Sequence, residues 1–182
     1  MSNNLNLLTL SHKKITIIIS FIFCIIIGSG LYGFGNDWYA AYFKSNLNWN
    51  DWYRDQLGWR ISTLTIFDFH IGVYVTTFIL VCSSGFLLES IFKFKKIYSL
   101  RFFLIILVIL IHTWPIIMST SNAMRQGLSM SFIFFFISAY MNNKNFLGFF
   151  CILKATFMHT AGPFYLIIYF TMIILLSLSR IF

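Results

Sequence analysis

Residues 102–118 read FFLIILVILIHTWPIIM, a run with no acid, lysine or arginine. A helix needs roughly 20 apolar residues to cross the hydrocarbon of a bilayer, with about 17 as a practical minimum. Phe102 to Met118 therefore predicts a membrane span. Upstream lie two more candidate runs: 15–32, preceded by His12, Lys13 and Lys14, and 63–92, ending at the basic cluster Lys93, Lys95, Lys96 and Arg101. Downstream lie 127–141, 146–161 and 164–179. The link Asn142-Asn143-Lys144-Asn145 reads as a tight turn, because Asn tolerates left-handed backbone and bonds its own neighbours. Gly162-Pro163 marks the end of the fifth run.

The expected fold is all-α, a single membrane domain over 1–182. It is a polytopic integral helical bundle of about six transmembrane helices with a polar, aromatic outer loop at 33–62. Composition points the same way. Apolar residues make up 59% of the chain and charged ones 10%, where a soluble domain is nearer half and a quarter. Five acids and thirteen bases supply too little polar surface to cover a water-soluble core. A basic start, an apolar run and Gly28-Ser29-Gly30 also describe a signal peptide, but the first run is long for one. The cysteines Cys24, Cys82 and Cys151 each fall in an apolar run, without disulfide or C-x-x-C spacing, and read as inert thiols.

Bases set the orientation. With a cytoplasmic N-terminus, that side holds Lys13, Lys14, Lys93, Lys95, Lys96, Arg101, Lys144 and Arg180; the outer side holds Lys44, Arg54, Arg60 and Arg125. Eight against four predicts both termini cytoplasmic. The net charge of +8 then reflects topology and not nucleic-acid binding, which wants a solvated basic face.

The scarce polar groups gather on the expected outer side: Asp37, Arg60, Asp68, His70, Arg125 and His159. Counted from the Asn-rich turn, Arg125 and His159 reach similar depth on adjacent helices. An Arg fork matches phosphate oxygens, and His trades a proton near neutral pH, so the pair suits a phosphate-bearing head group. The alternative is that Arg125 anchors at the interface and His159 caps its helix. Lys154 is expected about a third of the way up the fifth span, facing the bundle or snorkelling to the nearer interface. Glu89 reads as an i,i+4 partner of Lys93. The loop aromatics Trp38, Tyr39, Tyr42, Trp49, Trp52, Tyr53 and Trp59 suit either an interfacial belt or a sugar-stacking platform. No phosphate loop, dinucleotide or nucleophile motif is present, and no metal-ligand spacing, so neither a cofactor nor a metal is expected.

Three stretches together resemble the EpsG-like family of bacterial polysaccharide polymerases, of the O-antigen polymerase (Wzy) type. Gly35-Asn36-Asp37-Trp38-Tyr39-Ala40-Ala41-Tyr42 is similar to that family's G-x-D-aromatic-x-x-Y element. Asn122-Ala123-Met124-Arg125-Gln126-Gly127-Leu128 is similar to its Arg-Gln element opening a helix. Lys154 to Ala161 (KATFMHTA) is similar to its A-x-x-x-H-x-[SA] pattern closing the next one. The resemblance spans most of residues 30 to 165.

It implies a glycosyltransferase of the bacterial inner (plasma) membrane, active in O-antigen, lipopolysaccharide, capsule or exopolysaccharide biosynthesis. The partner it implies is a polyprenyl-diphosphate-linked oligosaccharide repeat, taken at the outer face. Carried over by position, Arg125 contacts the diphosphate, His159 orients or deprotonates the acceptor hydroxyl or binds phosphate, and Asp37 is the alternative base or sugar ligand. Gln126, Asn36, Tyr42, Arg60 and His70 are the accompanying substrate-binding candidates. Family members are usually about twice this length, so the chain is expected to match their N-terminal half, inactive alone if the missing part supplies catalytic groups. Gly58-Trp59-Arg60 stands where the family often has an acid and Pro. The competing readings are a non-enzymatic membrane component and a fragment of a proton-coupled transporter using Lys154 and His70. Membrane lipid is a partner in any of them, and a chain-length regulator or a second copy is a further candidate.

Overall fold

In a computed structural model the protein is a helical bundle, described over residues 2–31, 57–66, 69–113 and 124–159 and at 164, 167, 170 and 171. Six helices are described: α1 (Ser2–Leu31), α2 (Leu57–Ser62), α3 (Gly72–Phe94), α4 (Leu100–Ile111), α5 (Met124–Met141) and α6 (Asn145–Met158). Among the described residues the single extended feature is a two-residue antiparallel ladder that pairs Thr65 with His70 and Ile66 with Phe69. Residues 164, 167, 170 and 171 are helical.

α3 is the central element, packed against α1, α4 and α5, while α6 packs on α5. α1 runs antiparallel to it. Successive contacts pair Ser29 with Tyr74, Ser20 with Cys82 and Thr16 with Gly85. Gly85 permits the approach, since a Cβ there would overlap the Thr16 side chain. α5 runs parallel to α3. The Ser90 hydroxyl meets that of Ser138 at 2.7 Å, Asn142 Nδ2 donates to Ser90 Oγ at 2.8 Å, and Lys93 Nζ donates to Asn142 Oδ1 at 3.1 Å. α6 returns antiparallel to α5, with Ser129 Oγ donating to the Ala155 carbonyl at 2.9 Å.

The turns are set by local chemistry. After α5, Asn143 takes a left-handed φ of 58°, Lys144 N–H bonds the Ala139 carbonyl and Asn143 N–H the Tyr140 carbonyl. This is a Schellman cap, in which one left-handed residue lets the freed amides satisfy the last carbonyls of the helix. α3 ends the same way at Lys96, with Ile97 N–H on Phe92 and Lys96 N–H on Lys93. Ile97 folds back on the core beside Phe92. Ser99 then caps α4 by accepting from the Phe102 amide at 3.3 Å. One face of α4, Phe103, Leu107 and Ile111, closes the apolar core with Val81, Leu88 and Phe92.

Several sequence-based boundaries shift. The run expected over 63–92 is helical only from Gly72. Before it come a turn and the two-residue ladder, and the α3 N-terminus lies so near Ser62 that a Cβ on Gly72 would overlap the Ser62 carbonyl. α4 stops at Ile111, and 114–120 fall outside the described residues. α5 begins three residues before the expected Gly127, taking Arg125 and Gln126 into its first turn. Lys154 is the tenth of fourteen residues of α6, four residues from Met158 and nearer the far end than the expected one-third height.

Beside this apolar core, many small polar side chains are buried and many large apolar ones exposed. On α1 the four-residue stripe His12, Thr16, Ser20 and Cys24 is buried, whereas Ile18, Phe21 and Ile26 are 57%, 60% and 62% exposed. Thr76, Thr77, Ser83 and Ser84 are buried on α3, and Ser129 and Ser131 on α5. Their hydroxyls are satisfied in part by backbone carbonyls one turn back, as Thr77 on Val73 at 2.7 Å. Among the described residues α3 alone is long and apolar enough to cross a membrane; α4 and α6 are shorter apolar helices.

Candidate functional site at the Arg125 end

The described bases separate by end. Lys13, Lys14, Lys93, Lys95, Lys96, Arg101 and Lys144 lie towards the end where α3 and α5 finish, the end that also holds the buried Glu89. Glu89 feels Lys13, Lys93 and Lys144, which come from three different segments. The expected local pair with Lys93 is therefore one part of a wider cluster, assembled by packing that no local spacing encodes.

At the opposite end α2, the start of α5 and the end of α6 meet. α2 packs against α3, α5 and α6. Its seat on α6 is the bare face of Gly58, where a Cβ would overlap the Met158 carbonyl oxygen and stand 2.8 Å from its carbon. The Ser62 hydroxyl donates to the Gly58 carbonyl at 2.7 Å and holds the short helix closed. This brings Arg60, exposed in the last turn of α2, to the end where α6 stops. His159 comes directly after Met158 with extended backbone, φ −153° and ψ 150°, and is half-buried.

Arg125 stands in the first turn of α5, half-buried with its Nε shielded from solvent. The guanidinium is within electrostatic reach of the His159 ring. Thus the Arg-Gln element and the His element, far apart in sequence, come to the same end of the bundle. A cation in a helix's first turn adds to the positive end of the macrodipole, an arrangement disfavoured by about 0.3–1 kcal/mol unless an anion answers it. The arrangement suits an anion with phosphate-like oxygens: an Arg fork in the first turn of α5 and an imidazole within its electrostatic reach.

Gln126 is exposed beside Arg125. His70 contributes backbone to the ladder with Thr65. Asn36, Asp37, Tyr42 and Asp68 lie outside the described residues. Lys154 is exposed on the flank of the α5–α6 pair, its Nζ 5.9 Å from the centre of the Phe132 ring, and so does not line a path between helices. Missing from the sequence reading is α2 as an element. Leu57 and Ile61 at i,i+4 are its only local signal, and the tight Gly58–Met158 approach has none. Among the described residues no group of His, Cys, Asp and Glu is arranged to hold a metal ion.

No protein-family model matches the chain, and neither curated proteins nor solved structures yield a match.

Proposed function

We propose that the chain is a polytopic membrane protein whose Arg125 end faces outward and acts in polymerising polyprenyl-diphosphate-linked oligosaccharides. The membrane part rests on buried hydroxyls and exposed large apolar side chains. Small hydroxyl residues mediate helix contacts, as in lipid, where small side chains let backbones approach closely, and large Ile and Phe side chains point outward. The alternating directions of α1, α3, α4, α5 and α6 and the gathering of seven bases at one end suit a bundle with that end cytoplasmic.

The observation that carries the functional reading is that Arg125 lies within electrostatic reach of His159, at the end of the bundle where α2 bears Arg60. In the proposed reaction an acceptor sugar hydroxyl attacks the anomeric carbon of the donor. The new C–O bond forms as the bond to the diphosphate oxygen breaks, and the polyprenyl diphosphate leaves with the electron pair. Arg125, aided by Arg60, stabilises the charge on that leaving group. His159 takes the hydroxyl proton, with Asp37 as the alternative base. The test is surface-glycan length in a strain lacking its own polymerase and supplied with this chain. A ladder with wild type and a single repeat with Arg125→Ala or His159→Ala supports the reading. Polymer of unchanged length with either variant, at normal membrane insertion, removes it in favour of a non-enzymatic component.

A further inference from the structure

One groove lies apart from the Arg125 mouth, on the flank where α5 and α6 meet. It has a volume of about 350 Å³ and is lined by Phe132, Phe146, Leu147, Phe150, Cys151 and Lys154. The α6 members fall at i, i+1, i+4, i+5 and i+8, so they form one stripe of roughly 12 Å along that helix. Phe146 is 79% exposed, and Leu147 and Phe150 are exposed beside it. Lys154 supplies the one charge in the groove, and it stands at the end of the stripe nearer His159. Its ammonium rests against the Phe132 ring, 5.9 Å from the centre. Glu89, the one acid among the described residues, belongs to the basic cluster at the other end of the bundle.

A lysine on an apolar, outward-facing helix flank is expensive in lipid unless an anion answers it. The chemistry that satisfies this groove is amphiphilic. It needs an anionic head at Lys154 and a hydrocarbon tail over Phe150, Leu147 and Phe146. We infer that the α5–α6 flank is a binding site for an anionic phospholipid of the leaflet at the Arg125 end, its phosphate on Lys154 and an acyl chain in the aromatic groove. The inference rests on the membrane reading of the fold, and the site is separate from the one proposed for the glycan donor. Depth fixes the orientation. Lys154 is one helical turn from Met158 and more than two from Asn145, so the head group points towards the mouth and the tail away from it.

The experiment uses the full chain in detergent, with phosphatidylglycerol and phosphatidylcholine of identical acyl chains as probes and native mass spectrometry as readout. Wild type is expected to retain phosphatidylglycerol about fivefold over phosphatidylcholine, the preference that one lysine near the head-group region confers. Lys154→Met abolishes that preference and Lys154→Arg keeps it. Lys95→Met, at the opposite end of the bundle, leaves it unchanged, and Leu147→Trp, which fills the groove, lowers retention of both lipids. Melting curves confirm that the variants fold, which the exposure of residue 154 favours. Equal retention of the two lipids by wild type overturns the inference, as does a preference that survives Lys154→Met. Retention of an added polyprenyl phosphate with no preference for phosphatidylglycerol also overturns it, and reassigns the groove to a carrier lipid. Arg125→Ala separates the two proposals: it shortens glycan under the functional reading and leaves the lipid preference intact under this one.

Discussion

Gly58→Ala tests whether α2 is seated on the end of α6 as closely as the geometry requires. The added Cβ would overlap the Met158 carbonyl oxygen and stand 2.8 Å from its carbon and 2.9 Å from its Cα. Carbon atoms in good contact sit about 3.5–4.0 Å apart, and the obstacle is backbone, which cannot rotate away. α2 must therefore lift from α6 by about 1 Å. Overpacking of this kind costs about 1–3 kcal/mol, and an obstacle made of backbone puts the change near the upper end. Replacing glycine by alanine inside a helix returns about 0.8–1 kcal/mol, so the net loss is about 1–2 kcal/mol. For a chain of this size that lowers the melting temperature by about 2–8 °C. Gly148→Ala is the control. Its Cβ would meet the Phe136 ring at 3.3 Å, which can give by a few tenths of an ångström, and the Phe136 carbonyl oxygen at an ordinary 3.7 Å. Its melting temperature should not fall. Because Met158 precedes His159, the same displacement should also misplace the imidazole, and a shift of about 1 Å costs up to about 100-fold in rate. Gly58→Ala should therefore shorten glycan in the polymerisation assay. Wild-type melting of Gly58→Ala, or an equal fall for Gly148→Ala, would refute the close approach.

The α1–α3 contact makes a second test. Gly85→Ala should destabilise by about 1–3 kcal/mol, and Thr16→Ala in the same chain should recover part of that loss, a non-additivity that a double-mutant cycle in thermal melts would detect. At the basic end, Glu89→Gln leaves Lys13, Lys93 and Lys144 without their shared counter-charge. The difference in melting temperature from wild type should change as salt is added, since the lysines are exposed and screened, and a salt-independent difference would count against the cluster. His12 lies at that end too, buried and stacked 4.6 Å from Phe103, and burial lowers its pKa from the ordinary 6.5. The unfolded chain then takes up the proton first as pH falls, so stability should decline below about pH 6.5 and be unaffected above it. His12→Phe should flatten that decline, measured by melting between about pH 8 and about pH 5. A topology reporter fused after Lys144 should report the cytoplasm; an outside location would invert the proposed orientation.

Local chemistry makes much of this legible from residues alone. The tight turn at Asn142–Asn145 needs a residue that accepts left-handed backbone, and Asn143 takes that role at φ 58°. The start of α3 is not legible in this way. Residues 63–71 carry Leu64, Ile66, Phe67, Phe69 and Ile71 around Asp68 and His70 and so extend the apolar run, while the observed helix start, Gly72, lies against the carbonyl of Ser62, ten residues away. The end of the fifth span differs from expectation for a related reason. Apolar runs show where helices lie but not where they stop, so the expected span runs three residues past the actual end of α6 at Met158.

The candidate site shows the same division between local and long-range information. Arg125 and His159 stand out because charges are rare in apolar runs, and their similar distance from one turn predicts similar depth. What depth cannot predict is azimuth. Two residues at one height on neighbouring helices meet only if their faces turn towards each other, and that rotation is set by packing. Here Ser129 bonds the Ala155 carbonyl, four residues into the bundle from each of the two. It ties the faces of α5 and α6 together one turn below the mouth. In a lipid-facing bundle such a bond contributes only about 0.6 kcal/mol, yet it fixes rotation where apolar contacts would slide. Ser129→Ala should therefore affect the Arg125–His159 end more than stability, with glycan length reduced at a nearly unchanged melting temperature. A large stability loss with unaltered length would mean the hydroxyl serves packing alone.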